Sequence, residues 1–206
     1  MHTQLSTRLV LCAVLLSGFR LMAVHAEPQS NTATSRTVQR PSPVTSTAVA
    51  RKIVQAFKMK NWARVARSVH PQKGVRFSPY ANVNVRRDRL FTARQIRTAW
   101  NRPTRYLWGV YDGSGKPIRL TFAEYYAKFI YDRDFANAPF VSVNRSRAQG
   151  NTINNARQVY PNADIVEFYF PNSNENTLDW RALRLVLERW RGSWYLVGVI
   201  HDQWTI

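Results

Sequence analysis

The first segment of the chain with a folding pattern has apolar residues at helical spacing. Between residues 47 and 60 they return every three or four positions, which predicts a first helix. Asn61 is a suitable N-cap for a second helix, and His70-Pro71 ends it because the residue before proline avoids the helical region. A stretch with strand character, 75–85, follows and is interrupted by Pro79.

Two capping boxes predict further helices. Thr92 with Gln95 predicts one at about 93–100, and Thr121 with Glu124 predicts another at about 122–131. Between them, residues 105–111 and 118–120 flank the turn DGSGKP and predict a hairpin.

The last third of the chain is rich in predicted strands. They cover residues 140–144, 152–160, 165–170, 180–190 and 194–204. The composition of 180–190 also suits a helix, but the turn Arg191-Gly192-Ser193 and the strongly β-prone segment after it favour a strand.

The final predicted strand is apolar on both faces. Simple alternation places Tyr195, Val197, Val199 and His201 on one face, and Trp194, Leu196, Ile200, Asp202 and Trp204 on the other. A strand of this kind is central in its sheet and covered on both sides. The second cover would be a helix, the N-terminal segment or a partner subunit.

These elements resemble the nuclear transport factor 2-like (SnoaL-like) fold, in which a curved antiparallel sheet wraps around N-terminal helices as a cone. The similar segments are WARVARSVHP and the closing hairpin RLVLERWRGSWYLVGVIHDQWTI. More narrowly, the segments HPQKGVRFSPY, WGVYDGSGKPI, DFANAP, GNTINN and VIHDQWTI resemble an uncharacterised family of exported bacterial proteins over about residues 48–206. The resemblance implies an α+β cone and transfers no catalytic residue.

The N-terminus has the features of a secretory signal peptide. Arg8 precedes the apolar run Leu9–Phe19, and Val24-His25-Ala26 provides a cleavage site before Glu27. We therefore predict a signal peptide at 1–26, a disordered polar linker at 27–46 and a single α+β domain at 47–206. We expect an exported protein, periplasmic or secreted, with no transmembrane segment in the mature chain. The only cysteine, Cys12, lies in the signal peptide, so the mature chain has no disulfide.

The chain is strongly basic, with 30 Lys and Arg against 12 Asp and Glu. A basic exported protein attracts anionic lipids and polymers, although scattered arginines also serve solubility alone. Candidate surface residues are Arg76, Arg86, Arg87 and Arg105, which lie near several aromatic residues. Seven tryptophans in a domain of this size are more typical of packing than of base stacking, so nucleic acid is not the expected partner.

The candidate pocket residues are His70, Tyr80, Tyr169, His201 and Asp202. His70, at a helix end, is expected to cap or pack. Neighbours on a strand point to opposite faces, so His201 and Asp202 are not expected to act as one dyad. Glu167, Arg184 and Glu188 are expected to meet across two paired strands, as ion pairs on a solvated outer face or as a charged pocket wall. Asp132 and Asp134 are expected in a solvated loop or helix end. The residue types predict neither a metal site nor a cofactor.

The sequence leaves three functional hypotheses. The first is a non-enzymatic binding module that holds a small ligand in a cone pocket or an anionic envelope polymer on its basic surface. The second is a pocket enzyme, an isomerase, dehydratase or hydrolase, that uses His201 or Asp202. The third is an interaction protein that works as a homodimer.

Overall fold

A computed structural model describes residues 43–148 and 150–205, so the predicted signal peptide and most of the predicted linker lie outside the described residues. The helices are α1 Ser46–Lys58, α2 Trp62–Ser68, α3 Ala93–Ala99, α4 Phe122–Phe129 and α5 Ala156–Val159, with a 3₁₀ turn at Phe135–Asn137. The strands are β1 Val75–Ser78, β2 Arg89–Phe91, β3 Tyr106–Val110, β4 Pro117–Leu120, β5 Phe140–Val143, β6 Asp164–Phe170, β7 Arg181–Trp190 and β8 Ser193–Gln203.

The predicted α+β class is confirmed. Six strands form one curved, open sheet in the order β2-β1-β8-β7-β6-β5, and β3 pairs with β4 in a separate hairpin. The sheet is not purely antiparallel, because β1 runs parallel to β8 while the other neighbours are antiparallel. The order places β8 between β1 and β7, so the closing strand is central, as its two apolar faces predict.

Local capping fixes the helix starts. The Asn61 side chain accepts a hydrogen bond from the Arg64 N–H at 2.9 Å at the start of α2. Reciprocal bonds between Thr92 and Gln95 begin α3, and those between Thr121 and Glu124 begin α4. Both capping boxes predicted from the sequence are confirmed.

The β7–β8 hairpin closes as predicted. Arg191 and Gly192 have φ of 48° and 81°, and Trp190 pairs with Ser193 across the turn. Two positive φ values give the turn a twist that matches the right-handed twist of the strands.

The predicted alternation of side chains between the two faces of β8 is wrong in the first half of the strand. The pairing with β7 shifts between Val186 and Leu187, which leaves Val197 as the extra residue of a β-bulge. Leu196 therefore lies on the same face as Val199, and Val197 lies on the face of Ile200. The sequence does not mark this bulge, since every residue around it is apolar.

The strand predicted at 152–160 is also wrong. Residues 156–159 form the short helix α5, and the Asn155 side chain before it bonds both backbone groups of Val83, at 2.7 Å and 3.0 Å. The stretch 75–85 forms a strand only as far as Ser78, because Pro79 cannot donate to the sheet.

Both faces of the sheet are covered. The inner face carries Leu183, Leu185 and Leu187, and it packs with α1 to α4 into the main core. The outer face carries Val186 and Ile200, which pack with Val83 and Ala156. The second cover of β8 is therefore the loop after β1 together with α5. No helix within 43–148 and 150–205 combines the length and the apolar character needed to cross a membrane.

Candidate functional site

His201 lies on the inner face and pairs with an aspartate far away in sequence. Its Nε2 is 3.2 Å from Oδ2 of Asp132, which also accepts a hydrogen bond from Nε of Arg181 at 2.9 Å. Burial by itself would raise the pKa of the Asp132 carboxyl, but the His201 hydrogen bond and the Arg181 charge lower it below its ordinary value. The expectation that Asp132 is a solvated loop residue is wrong, because it anchors a buried histidine.

The interior around His201 is filled by aromatic rings. The His201 side chain is fully buried, and its ring meets the edge of Phe129 at a centroid distance of 5.6 Å. The buried rings of the main core are Phe57, Trp62, Phe77, Phe91, Trp108, Phe122, Tyr125, Tyr126, Phe129, Phe135 and Phe168. Five cavities of the described residues have other linings, which include neither His201 nor Asp132.

Asp202 lies on the opposite face from His201 and belongs to a buried ion cluster. Nε of Arg184 donates to Glu167 at 2.8 Å, and Nη2 of Arg184 donates to Asp202 at 2.8 Å. Burial raises the pKa of the Asp202 carboxyl, and the Arg184 charge opposes that rise. The solvated outer face predicted for Glu167 and Arg184 is wrong, since each side chain is 1% exposed. Glu188 lies apart from them and pairs with Lys73.

His70 caps the turn that follows α2. Its Nδ1 accepts hydrogen bonds from the backbone N–H groups of Gln72 at 3.2 Å and Lys73 at 3.1 Å. Burial lowers the pKa of His70 and so favours the neutral ring, the form whose Nδ1 can accept these bonds. The ring packs between Trp190 and Tyr195. These contacts give His70 a structural role at the end of the β7–β8 hairpin.

The two candidate tyrosines lie on different parts of the domain. Tyr169 is half-buried on β6 beside Phe140 and Trp180, and burial raises its pKa. Tyr80 packs against Phe129 and lines a cleft between the loop after β1 and the β3–β4 hairpin. The structure therefore does not bring the five candidate pocket residues into one site.

Two of the four candidate surface arginines are engaged in structural bonds. Nη1 of Arg76 donates to the carbonyls of Val85 at 2.9 Å and Asp88 at 3.0 Å. Arg105 pairs with Glu124 at 3.0 Å. Arg86 and Arg87 are exposed, and their guanidinium groups make no hydrogen bond or ion pair within the described part of the chain.

The positive charge is segregated along the chain, a feature that the interpretation of scattered arginines missed. Residues 43–111 contain fifteen Lys and Arg and one carboxylate, Asp88, which is buried. Residues 112–205 contain eleven Lys and Arg and ten Asp and Glu. Nearly all of the excess charge therefore belongs to the first half of the domain, and a running count of charges along the sequence would have found it.

The helices α2 and α3 concentrate this charge on the surface. They pack against each other, with Trp62 of α2 stacked on Trp100 at the end of α3 at 5.6 Å. Arg64 and Arg67 of α2, like Arg94 and Arg97 of α3, are spaced three residues apart, and all four are exposed. None of the four forms an ion pair with a described carboxylate. We call these four arginines the basic helix pair.

The described residues bring no three histidine, cysteine, aspartate or glutamate side chains together in a way that would hold a metal ion. The chain matches no known family model, and no curated protein or solved structure is found similar to it.

Proposed function

We propose that the domain is a non-enzymatic binding module for an anionic polymer, which docks on the basic helix pair. The observation that carries the proposal is the segregation of charge between the two halves of the domain. Fifteen cations accompany a single buried carboxylate in residues 43–111, and the four arginines of the basic helix pair have no described counter-charge. Such a surface repels itself and attracts a polyanion.

The inner face of the sheet supports binding over catalysis. His201, the candidate acid–base residue, is fully buried among aromatic rings and paired with Asp132. A catalytic group has to reach the reacting atoms, directly or through a water molecule. The surface site, in contrast, is exposed and needs no conformational change to be reached.

We also propose that the domain is a divergent cone of the nuclear transport factor 2-like type. The central place of the β7–β8 hairpin in a curved sheet supports this, as do the four helices against its inner face. We expect nuclear Overhauser contacts between these helices and the inner face of the sheet, and their absence would contradict the proposed fold.

Export of the protein is the third part of the proposal. The apolar run Leu9–Phe19 and the site at Ala26 support it. We expect the protein recovered from the medium or the periplasm of its host to begin at Glu27, as mass spectrometry of its N-terminal peptide would show. Recovery of an intact N-terminus from the cytoplasm would contradict export.

Charge reversal on α3 tests the polymer site. We expect the wild-type chain to bind dextran sulfate and not uncharged dextran, with an affinity that falls steeply as salt is added. The variant R94E/R97E should bind dextran sulfate at least about tenfold more weakly, because each basic residue near an anionic surface contributes roughly 1 kcal/mol. Isothermal titration calorimetry at several salt concentrations measures both effects.

A second variant with the same net charge provides the control. Lys116 and Arg147 are exposed, have no described carboxylate partner and lie outside residues 43–111. K116E/R147E should lose much less affinity than R94E/R97E. Equal losses in the two variants would mean that binding follows net charge alone, and the proposed site would then be wrong.

A further inference from the structure

A cleft of about 400 Å³ lies beside the basic half of the domain. Its walls are the loop between β1 and β2, including Tyr80, Asn82 and Arg87, and the β3–β4 hairpin, including Tyr111 and Asp112. Clefts of roughly 300–1,000 Å³ with a few convergent polar groups are the usual binding sites for small ligands. The cleft is distinct from the basic helix pair and from the interior around His201.

The hairpin wall is shaped by an irregular backbone. The β3–β4 pairing shifts between Leu107 and Val110, and Gly109 in this bulge has a φ of 126°, which side-chain-bearing residues rarely adopt. The bulge leaves Trp108 in the core while the backbone of Gly109 lines the cleft. Bulges of this kind occur often beside functional sites, where they redirect a strand.

The loop wall is held in place by hydrogen bonds of its own. The buried carboxylate of Asp88 accepts from Ser78 Oγ at 2.5 Å and from the Asn84 N–H at 2.8 Å. The Asn84 side chain in turn accepts from the N–H groups of Arg86 and Arg87, each at 3.1 Å. These bonds fix the backbone that presents Asn82 and Arg87 to the cleft, so that little order has to be created on binding.

The polar groups of the cleft have hydrogen-bonding capacity left over. Among residues 43–148 and 150–205, the side chains of Asn82 and Arg87 make no hydrogen bond, and both line the cleft. Asp112 is anchored through Oδ2, which accepts from the hydroxyls of Thr152 and Thr205. An amide, a carboxylate, a phenol and a guanidinium group thus line one small space that also contains two tyrosine rings.

We infer that this cleft binds one carboxylated sugar unit of the polymer, a hexuronate. Sugar hydroxyls both donate and accept, as the Asn82 amide and the Asp112 carboxylate require, and the C–H face of a sugar ring packs on a tyrosine ring. The Arg87 guanidinium fits a carboxylate with two parallel hydrogen bonds. Because the Asp112 charge offsets that of Arg87, the cleft favours a singly charged unit over a phosphate or a polysulfate. The inference rests on the proposed function, since it takes the unit to belong to the same polymer.

Calorimetry with a short uronate tests the inference. We expect trigalacturonate to bind in a 1:1 complex. Its trimethyl ester, which lacks the charges, should bind at least about tenfold more weakly, because one charged hydrogen-bonding partner is lost. R87Q should abolish this difference. N82A should weaken both trisaccharides, because it removes contacts to hydroxyls that they share.

Arg86 supplies the matched control, since it is exposed and adjacent to Arg87 but does not line the cleft. R86Q should leave trigalacturonate binding unchanged. Failure of trigalacturonate to bind, equal binding of its ester, or equal effects of R86Q and R87Q would overturn the inference.

The two sites fail separately in these measurements. R94E/R97E should weaken dextran sulfate and leave trigalacturonate unchanged, while R87Q should do the reverse. If dextran sulfate binds through α3 and trigalacturonate does not bind, the cleft inference is wrong and the polymer site stands. If trigalacturonate binds through Arg87 and dextran sulfate does not bind, the polymer site is wrong.

Discussion

Replacing Arg184 by alanine is expected to lower the free energy of unfolding by about 3–5 kcal/mol, the usual cost of removing one partner from a buried ion pair. The Arg184 side chain is 1% exposed and touches both Glu167 and Asp202 at 2.8 Å. Without the guanidinium, two carboxylates remain buried with no described cation between them. Urea unfolding followed by circular dichroism measures the loss.

The charge of the remaining carboxylates explains the expected loss, and a second variant tests that explanation. R184A/E167Q/D202N replaces both carboxylates by neutral amides of similar shape and should recover part of the lost stability. Lowering the pH should also narrow the gap between R184A and the wild type. Carboxylates left buried without a cation have raised pKa values in the folded state, so protonation favours the folded state.

A control on the same strand separates this effect from the loss of any arginine. Arg189 is exposed on β7 and lies over the Trp194 ring at 5.3 Å. R189A should change stability by no more than about 0.5 kcal/mol, as exposed substitutions usually do. If R184A also lost no more than about 0.5 kcal/mol, the buried ion cluster would contribute little to the stability of the fold.

Local signals were sufficient for most of the elements. The boxes Thr92–Gln95 and Thr121–Glu124 satisfy backbone groups within one turn, so four consecutive residues contain the whole interaction. The two apolar faces of β8 predicted its central place for a similar reason, since the signal lies within the strand itself.

Interactions between distant residues were not predictable in this way. Asp132 and His201 are 69 positions apart, and nothing near either residue indicates the other. Glu167 and Arg184 were expected to meet across paired strands, but their burial depends on Ser146 and Arg147 in a loop that covers them. The bulge at Val197 changes which residues share a face without any change in apolar character.

The charge segregation is neither a local structural signal nor a contact between distant residues. It is fully present in the sequence and needs no structure to be counted, but its meaning depends on the fold. Residues 43–111 would be an unremarkable basic stretch if their arginines paired with the ten acidic residues of the second half. In the described structure, only Lys58, Lys73 and Arg105 of that segment form such pairs across to it.

Replacing Trp108 by alanine is expected to lower the free energy of unfolding by about 3–5 kcal/mol, as large-to-small changes of buried aromatic residues do. Trp108 is fully buried and stacks on Tyr125 at 3.7 Å. Its Nε1 donates to the Leu120 carbonyl at 2.8 Å, so the variant both leaves a cavity and removes this hydrogen bond.

The neighbouring residue gives the control for this change. Leu107 is on the same strand, points away from the core and is 45% exposed, so L107A should change stability by no more than about 0.5 kcal/mol. At temperatures where W108A is still folded, its affinity for dextran sulfate should equal that of the wild type, because the basic helix pair lies on the surface. A loss of polymer binding in folded W108A would indicate that binding depends on the buried core, and it would contradict a surface site.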